Sequence, residues 1–499
     1  MANIENLQFD LCVIGCGPGG FAAAMRALDL GKHVCLIEGR EIGGAGVMWG
    51  ALASKCMWEL AKDFAIASDT LRGYRATGLH VDYQAMRDSV LQAVREKQYQ
   101  MLSQIETFSP KRWKGPGSIT LKKGWASFID DHRVAIDYPD KPQEEIYADY
   151  FVIATGSHPR AFPGIVTDGE RVVDSDTILN LKAFPKRLVI VGAGVIGCEY
   201  ATIFSNFGQT QVYLVDYAER IIPYEDDDVG DFISNNLTNN GVRILHSAIL
   251  RDIRQYDDFL QVILDYDDGH SEVLEVDAAL ISIGRKANFD CLRLENAGIF
   301  LAPDGYLATT DNCQVRHHIY AAGDVTHRPA LVNLAEMEGR FAVKHMYETN
   351  RWPLNYRNMS TVMFFKPAVA AVGLNEKACQ QKKIPYRVAY YANALLPRAI
   401  AMRATQGFLK IIVSDEELKV LGMRAAGPQA SNTIMSIAFL MDQDRGIRDA
   451  LKSVHPHPTM SEGIQDCLRV LLGKSVYKPH AFPNHIRIKR WLPDQGYVT

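Results

Sequence analysis

The sequence predicts an α/β protein with two doubly wound parallel sheets. An apolar strand, a glycine-rich turn and a helix follow one another near residue 15, and the same order recurs near residue 192. This order is typical of Rossmann-like, dinucleotide-binding domains. The length of 499 residues is also too great for one domain with a single hydrophobic core, and it predicts roughly three or four packed units.

The composition excludes several classes of protein. Hydrophobic residues make up 47% and charged residues 22%, which is typical of a globular chain, and the net charge of −4 favours neither nucleic acid nor an anionic membrane. Residues 1–10 lack a signal-peptide pattern and no apolar run is long enough to span a bilayer, so we expect a cytoplasmic protein. The nine cysteines have no metal-ligand spacing, and no metal site is predicted.

The first glycine turn has the residues that a pyrophosphate site requires. Residues 9–14 read as a buried strand, after which Gly15 permits a tight turn, Gly17 lets the backbone approach the phosphates and Gly20 allows close helix packing. The helix N-terminus favours the negative charge. The next strand ends at Glu38, where an acidic side chain can accept a hydrogen bond from an adenosine ribose.

The second turn repeats this arrangement with Gly192, Gly194 and Gly197, and its second strand ends at Asp216. A carboxylate there accepts from a free ribose 2′-hydroxyl and repels a 2′-phosphate, which favours NADH over NADPH. The alternative is an ordinary solvated carboxylate at a strand end. Arg220 follows closely and keeps NADPH use possible.

A long segment between the two turns predicts a core helix rather than a site. Residues 82–108 carry apolar side chains near helical spacing. These are Met86, Val90, Val94, Met101 and Ile105.

Together with several shorter motifs, the two turns resemble the pyridine nucleotide–disulfide oxidoreductase family, and among its members the soluble pyridine nucleotide transhydrogenases most. The resemblance runs from about residue 8 to about residue 474. Besides the two turns, the matching residues are Gly44, Thr155, Gly156, Gly284, Arg285, Gly323, Asp324, His457 and Glu462.

The resemblance implies a division of the chain and a pair of cofactors, FAD and a nicotinamide nucleotide. It implies an FAD-binding domain at 1–160 and 285–350, an NAD(P)-binding domain at 161–284, an α+β dimerisation domain at 351–475 and an extension at 476–499. It also implies that Asp324 binds the FAD ribityl chain and that the protein is a homodimer.

The family's redox-active cysteines are missing. Family members carry two cysteines, separated by four residues, between a glycine pair and a Ser-Lys pair. Here Gly43-Gly44 and Ser54-Lys55 align without a gap, and Gly46 and Ala51 occupy the two cysteine positions. Neither side chain can exchange thiols, so activity toward disulfides is not expected. Cys56 lies one residue past Lys55 and is expected to point elsewhere.

The other residues that the resemblance assigns to chemistry are present. Lys55 matches the lysine near the flavin, where positive charge favours added electrons, and Glu199 matches its acidic partner. His457 and Glu462 match a dyad that moves protons across the dimer interface. With no thiol to protonate, His457 either donates a proton to another acceptor or serves only as interface structure.

The predicted function is therefore hydride transfer from NADH to FAD and on to a non-disulfide acceptor. That acceptor is NAD(P)⁺, as in a transhydrogenase, or a quinone or similar oxidant. The alternative is a non-catalytic flavoprotein that acts as a redox sensor or regulatory subunit. The basic and apolar residues of 476–499 predict a docking arm over the partner subunit or acceptor cleft, and more weakly a membrane-surface contact.

Overall fold

The structure is a computed structural model that describes residues 7–70, 73, 75, 77–348, 354–443 and 446–498. The chain forms two compact units. The first consists of residues 1–57, 82–183 and 283–354, and the second of residues 58–81, 184–282 and 355–499. The finer division into an FAD domain, a nucleotide domain and a dimerisation domain stays a prediction.

The α-helices of the described residues are α1 (Pro18–Asp29), α2 (Ala51–Ala67), α3 (Tyr83–Thr107), α4 (Val195–Asn206), α5 (Asp227–Asn239), α6 (Val332–Tyr347), α7 (Glu376–Gln381), α8 (Pro397–Ala401), α9 (Ala430–Thr433), α10 (Met435–Asp442), α11 (Ile447–Ala450) and α12 (Glu462–Leu471). A short π-helix, Ala45–Trp49, precedes α2.

The strands of the described residues are β1 (Leu7–Ile14), β2 (His33–Glu38), β3 (Ser118–Lys123), β4 (Trp125–Phe128), β5 (Arg133–Asp137), β6 (Glu144–Ile153), β7 (Ser157–Pro159), β8 (Val172–Asp174), β9 (Arg187–Val191), β10 (Gln211–Val215), β11 (Arg243–Leu245), β12 (Ala248–Gln255), β13 (Leu260–Tyr266), β14 (Ser271–Val276), β15 (Ala278–Ile281), β16 (Arg285–Ala287), β17 (Gln314–Arg316), β18 (Ile319–Ala321), β19 (Ser360–Met363), β20 (Val369–Gly373), β21 (Tyr386–Ala392), β22 (Phe408–Ser414), β23 (Val420–Ala426), β24 (Ile486–Leu492) and β25 (Gly496–Val498).

The first unit is built on a parallel sheet in the order β18-β6-β1-β2-β3. The antiparallel hairpin of β4 and β5 joins this sheet through β6. Apolar side chains of β1, β2 and β6 are completely or nearly completely buried, as expected for parallel strands covered on both faces. The strand order brings the carboxyl ends of β1 and β2 together, where the first glycine turn lies.

Helix α3 confirms the predicted core helix. Its N-terminus is capped by Asp82, whose Oδ1 accepts a hydrogen bond of 2.9 Å from the amide of Ala85. The five apolar residues of the predicted stripe are all buried. The helix therefore contributes packing to the first unit.

The second unit contains three sheets. Strands β11, β10, β9 and β15 run parallel in that order, β12, β13 and β14 form an antiparallel meander, and a larger antiparallel sheet has the order β19-β20-β23-β22-β21-β24-β25. A core of buried apolar residues packs α10 and α12 on the larger sheet. This architecture confirms the predicted α/β fold with a C-terminal α+β part.

The C-terminal extension is not a separate arm in the single chain. It adds two strands to the larger sheet. Strand β24 pairs with β21, and β25 pairs with β24. Arg490 forms a two-point ion pair with the buried Asp415, with both hydrogen bonds at 2.7 Å, and Trp491 stacks on Tyr386 at a centroid distance of 5.6 Å. The docking roles predicted for the extension stay predictions.

Among the described helices, none is both long enough and apolar enough to cross a membrane.

Candidate active site

The first glycine turn has the geometry that its three glycines predict. Gly15 has a φ of +102°, and a Cβ atom on it would lie 2.3 Å from the carbonyl oxygen of Ala154. A Cβ on Gly20 would lie 1.9 Å from the carbonyl oxygen of Gly15, so helix α1 can only pack this closely with glycine there. A Cβ on Gly17 would meet nothing within 4 Å. The turn therefore leaves open backbone at the N-terminus of α1.

The second glycine turn is built in the same way. Gly192 has a φ of +103°, and a Cβ on Gly197 would lie 1.9 Å from the carbonyl oxygen of Gly192. A Cβ on Gly194 would meet nothing within 4 Å. The N-terminus of α4 is thus left open like that of α1, which suits a pyrophosphate in both turns.

Both strand-end acids face their own glycine turn. Glu38 accepts hydrogen bonds of 2.7 Å from the amides of Cys16 and Arg40. Asp216 accepts from the amides of Ala193 and Ala218 at 2.5 and 2.9 Å. Each carboxylate is therefore oriented by backbone amides at the place where a nucleotide ribose is expected.

Arg220 is engaged elsewhere in the second unit. Its guanidinium forms an ion pair with Asp231 and lies 4.0 Å from Asp227. Both acids belong to α5. These two acids thus partly neutralise the charge of Arg220, which the sequence offered as a possible partner for the 2′-phosphate of NADPH.

The segment that aligns with the family's cysteines contains a short π-helix here. Gly43 and Gly44 both have a positive φ, of +101° and +49°, and lead into the π-helix. A Cβ on Gly46 would lie 2.4 Å from Cγ of Pro18 and 3.3 Å from Cγ2 of Val332. The space beside Gly46 is already filled, so the chain lacks both the sulfur and the room for it.

Trp49 ends the π-helix with its indole nitrogen unsatisfied. Nε1 is buried and has no hydrogen-bond partner among the described residues. The guanidinium of Arg40 lies 4.7 Å from the centre of the indole ring. A buried donor without an acceptor is costly, which is the arrangement expected where a bound group supplies the acceptor.

Asp324 is held by a network of side chains in the first unit. Ser157 donates to Asp324 at 2.6 Å, and Arg285 Nε donates to the same serine hydroxyl at 2.8 Å. Arg285 also donates to Asp176 at 2.9 Å. Burial raises the pKa of Asp176 even though it is paired with Arg285. These hydrogen bonds hold the Asp324 carboxylate in one orientation.

The neighbouring residue Gly323 contacts an acid that the sequence analysis did not single out. Its amide donates to Glu338 Oε2 at 2.8 Å, and Glu338 is completely buried. Burial raises the pKa of Glu338 to about 7. Sequence reasoning could have found Glu338, because it lies at helical spacing from the apolar residues Leu334 and Ala335 of α6 and so on the buried face of the helix.

Thr155, Gly156 and Gly284 lie in the turns that link the sheet to residues 285–288. Thr155 Oγ1 donates to the carbonyl oxygen of Asn288 at 2.7 Å, and the amide of Asn288 donates to the carbonyl oxygen of Gly156 at 2.9 Å. Gly156 and Gly284 have positive φ values, and a Cβ on either would meet nothing within 4 Å. Open backbone thus occurs here as well.

Lys55 and Glu199 lie in different compact units, and their pairing stays a prediction. Lys55, near the start of α2, donates from Nζ to the hydroxyl of Ser54 at 3.2 Å. Glu199, on α4, is buried and accepts from the amide of Phe364 at 2.9 Å.

His457 and Glu462 form the expected dyad. His457 Nδ1 donates to Glu462 Oε1 at 2.8 Å, and the other carboxylate oxygen accepts from the amide of Thr459 at 2.7 Å. The histidine side chain is 65% exposed in the single chain. Glu462 therefore holds the orientation of the ring and leaves Nε2 as the nitrogen that can take up and release a proton.

The fold and the two glycine turns define the class of oxidoreductases that combine a flavin with a nicotinamide nucleotide. Sequence comparison agrees. The chain matches the model of the pyridine nucleotide-disulphide oxidoreductases over residues 9–339 and that of their dimerisation domain over residues 359–467. The chain belongs to this FAD-dependent family, which also implies a homodimer.

The relatives include both disulfide enzymes and transhydrogenases. The chain is 31% identical to a dihydrolipoyl dehydrogenase of Chlamydia trachomatis, over 95% of this chain and 99% of the relative. It is 34% identical to a soluble pyridine nucleotide transhydrogenase of Pseudomonas aeruginosa, over 91% of this chain and 96% of the relative. Among solved structures, LpdA from Mycobacterium tuberculosis has a TM-score of 0.83 at 25% identity, covering 93% of this chain and 99% of that one.

Proposed function

We propose that this protein transfers hydride from NADH to a bound FAD and then passes the electrons to an acceptor that is not a disulfide. One observation carries the proposal. Gly46 and Ala51 provide no sulfur, and the side chain of Pro18 occupies the space in which a Cβ at residue 46 would lie.

The first unit suits FAD through its own residues. The open backbone at Gly17 and the N-terminus of α1 would hold the pyrophosphate, Glu38 would accept from the adenosine ribose and Asp324 would accept from the ribityl chain. The buried Trp49 Nε1, which has no hydrogen-bond partner among the described residues, is further evidence for a bound ligand in the first unit. When bound, FAD supplies the electron carrier that accepts two electrons from a nicotinamide and releases them to a second substrate.

The second unit binds the nicotinamide nucleotide. Gly194 leaves room for the pyrophosphate, and Asp216 accepts from the ribose 2′-hydroxyl of NADH. Lys55 adds positive charge that stabilises electrons delivered to the flavin site, and Glu199 is its proposed acidic partner. His457, oriented by Glu462, donates the proton that an acceptor such as a quinone requires.

The resemblance to a soluble pyridine nucleotide transhydrogenase, at 34% identity, favours NADP⁺ as one acceptor. A quinone is the second candidate, because the small side chains at residues 46 and 51 leave no disulfide to receive the electrons. The two acceptors differ in their need for a proton, so His457 matters for the quinone alone.

Anaerobic rapid mixing of the FAD-loaded protein with NADH tests the proposal. We expect complete loss of the oxidised flavin band without the long-wavelength band of a thiolate beside a flavin. NADP⁺ or a quinone should then reoxidise the protein faster than lipoamide. Turnover with lipoamide at the fastest rate would contradict the proposal, and a flavin that NADH does not reduce would favour the non-catalytic, regulatory alternative.

A further inference from the structure

Two histidines and an aspartate cluster in the first unit, outside the motifs of the candidate active site. One potential metal-binding atom from each of Asp131, His132 and His318 lies within 4.8 Å of the other two. All three residues are half-buried. The spacing of residues along the sequence gives no sign of this cluster, because its members come from two distant parts of the chain.

The sheet fixes the two histidines next to each other. His132 immediately precedes β5 and His318 immediately precedes β18. Strand β1 pairs with one edge of β6, and both β5 and β18 pair with the other edge. The starts of β5 and β18 therefore lie next to each other along β6. The carbonyl oxygens of His132 and His318 accept hydrogen bonds from β6, at Ala148 and Phe151, of 3.2 and 3.0 Å. The backbone positions are thus set before any ligand binds.

Each imidazole has one nitrogen anchored to a backbone carbonyl. His132 Nδ1 lies 3.2 Å from the carbonyl oxygen of Ala148, and His318 Nε2 lies 2.6 Å from that of Asp131. A carbonyl oxygen only accepts hydrogen bonds, so these nitrogens carry the protons and His132 Nε2 and His318 Nδ1 keep their lone pairs. Metal-binding histidines are commonly oriented by such a second hydrogen bond.

The two rings stack face to face, with centroids 4.0 Å apart and planes within 3°. Tyr147 also stacks on His132, with ring centroids 5.5 Å apart. Parallel rings do not direct two lone pairs to one point, so joint coordination requires one ring to turn about its Cβ–Cγ bond. Rotation about that bond in histidine has a broad energy profile, so the cost of the turn is mainly the loss of the stacking and of that ring's hydrogen bond, which the bond to the metal ion replaces.

We propose that Asp131, His132 and His318 bind a divalent transition-metal ion of the zinc and copper type. Two imidazole nitrogens and one carboxylate oxygen suit such ions, with water completing the coordination. The ion would link residues 131–132 to residue 318, which belong to the two separate segments predicted to form the FAD-binding domain. Because it binds the folded chain, it should also stabilise that chain.

Calorimetric titration of the FAD-loaded protein with ZnCl₂ tests the site. The titration is made in a Cys291→Ser background, because Cys291 is the exposed cysteine. We expect one Zn²⁺ per chain, and at least tenfold weaker binding in His132→Ala and in His318→Ala. His80→Ala, at an exposed histidine whose Nδ1 bonds the carbonyl oxygen of Gly78, is the matched control and should bind normally. No saturable binding, or equal binding in both variants and the parent, would overturn the proposal.

A second measurement needs no histidine variant and so does not depend on how the variants fold. With one equivalent of Cu²⁺ added to the parent protein, electron paramagnetic resonance should show coupling to two imidazole nitrogens, and the melting temperature should rise. A spectrum without coupling to two nitrogens would overturn the assignment of the ligands.

Discussion

A Cβ atom on Gly46 would lie 2.4 Å from Cγ of Pro18, a separation that side chains do not tolerate. Pro18 begins helix α1, directly after the first glycine turn. Gly46 replaces the family's first cysteine, and Pro18 starts the helix that follows the glycine turn. The absence of a side chain at Gly46 therefore makes room for the ring of Pro18. Restoring a cysteine requires one of them to move.

Gly46→Cys should consequently destabilise the protein by about 1–3 kcal/mol, the usual cost of overpacking a filled site. Urea unfolding measures this free energy. Ala51→Cys, at the second cysteine position, is the matched control and should cost less. The double variant should not gain lipoamide reductase activity, and efficient lipoamide reduction by it would show that the backbone adapts to the disulfide.

Asp216→Ser should reduce the preference for NADH. We expect the native protein to favour NADH over NADPH on the order of tenfold, because one repulsive contact with a 2′-phosphate costs about 1.4 kcal/mol. The ratio of kcat/KM values for the two nucleotides measures the preference. Glu219→Ser, on the same loop, should leave it unchanged. Equal rates for the native protein would mean that Arg220 reaches the phosphate despite its pairing with Asp231.

Glu338→Gln should make stability less dependent on pH. Burial raises the pKa of Glu338 from its ordinary value of 4.5 to about 7, so the folded chain holds a proton that the unfolded chain has released. The native protein therefore loses stability as pH rises from about 4.5 through 7, by on the order of 3 kcal/mol from this group.

The glutamine stays neutral and can still accept from the amide of Gly323, so the variant should be more stable than the native protein at pH 8 and similar at pH 4.5. Melting temperatures across this range measure the difference. Glu336→Gln, at an exposed residue of α6, is the control. An identical pH profile for the native protein and Glu338→Gln would show that Glu338 ionises normally.

Arg490→Ala should weaken the attachment of the C-terminal extension and lower the free energy of unfolding, because it removes two charge-assisted hydrogen bonds to the buried Asp415 carboxylate. Hydrogen bonding from Arg490 is the main cause that lowers the pKa of Asp415 to about 2. The stabilisation is present above the ordinary pKa of 3.8 and is lost as pH falls toward 2.

Urea unfolding at pH 7 and at low pH measures this effect. Arg487→Ala is the control, because Arg487 packs over the Tyr390 ring and no ion pair of its side chain is found among the described residues. No loss of stability in Arg490→Ala at pH 7 would mean that Arg387, which also bonds Asp415, suffices.

His457→Gln should leave reduction by NADH unchanged and slow reoxidation by a quinone at least tenfold, because general acid catalysis typically contributes more than that. Rapid mixing separates the two half-reactions. His455→Gln is the neighbouring control. If both half-reactions are unaffected but the dimer dissociates at lower dilution, His457 serves the interface and not proton transfer.

The sequence by itself determined the two glycine turns, their strand-end acids and the core helix α3. These features depend on local rules: glycine where φ is positive or a Cβ would collide, and apolar residues at helical spacing. The loss of both cysteines was also evident, because two flanking motifs aligned without a gap. Local patterns therefore fixed the class of protein and the absence of the two cysteines.

Only the tertiary structure showed what surrounds those motifs. Pro18 beside Gly46, Glu338 beneath Gly323, Arg490 on Asp415 and His132 beside His318 join residues far apart in the sequence. Such neighbours are set by strand register and by the packing of helices on sheets, which no local periodicity encodes. The pKa of Glu338 has the same origin, since it depends on burial, and burial is a property of the folded chain.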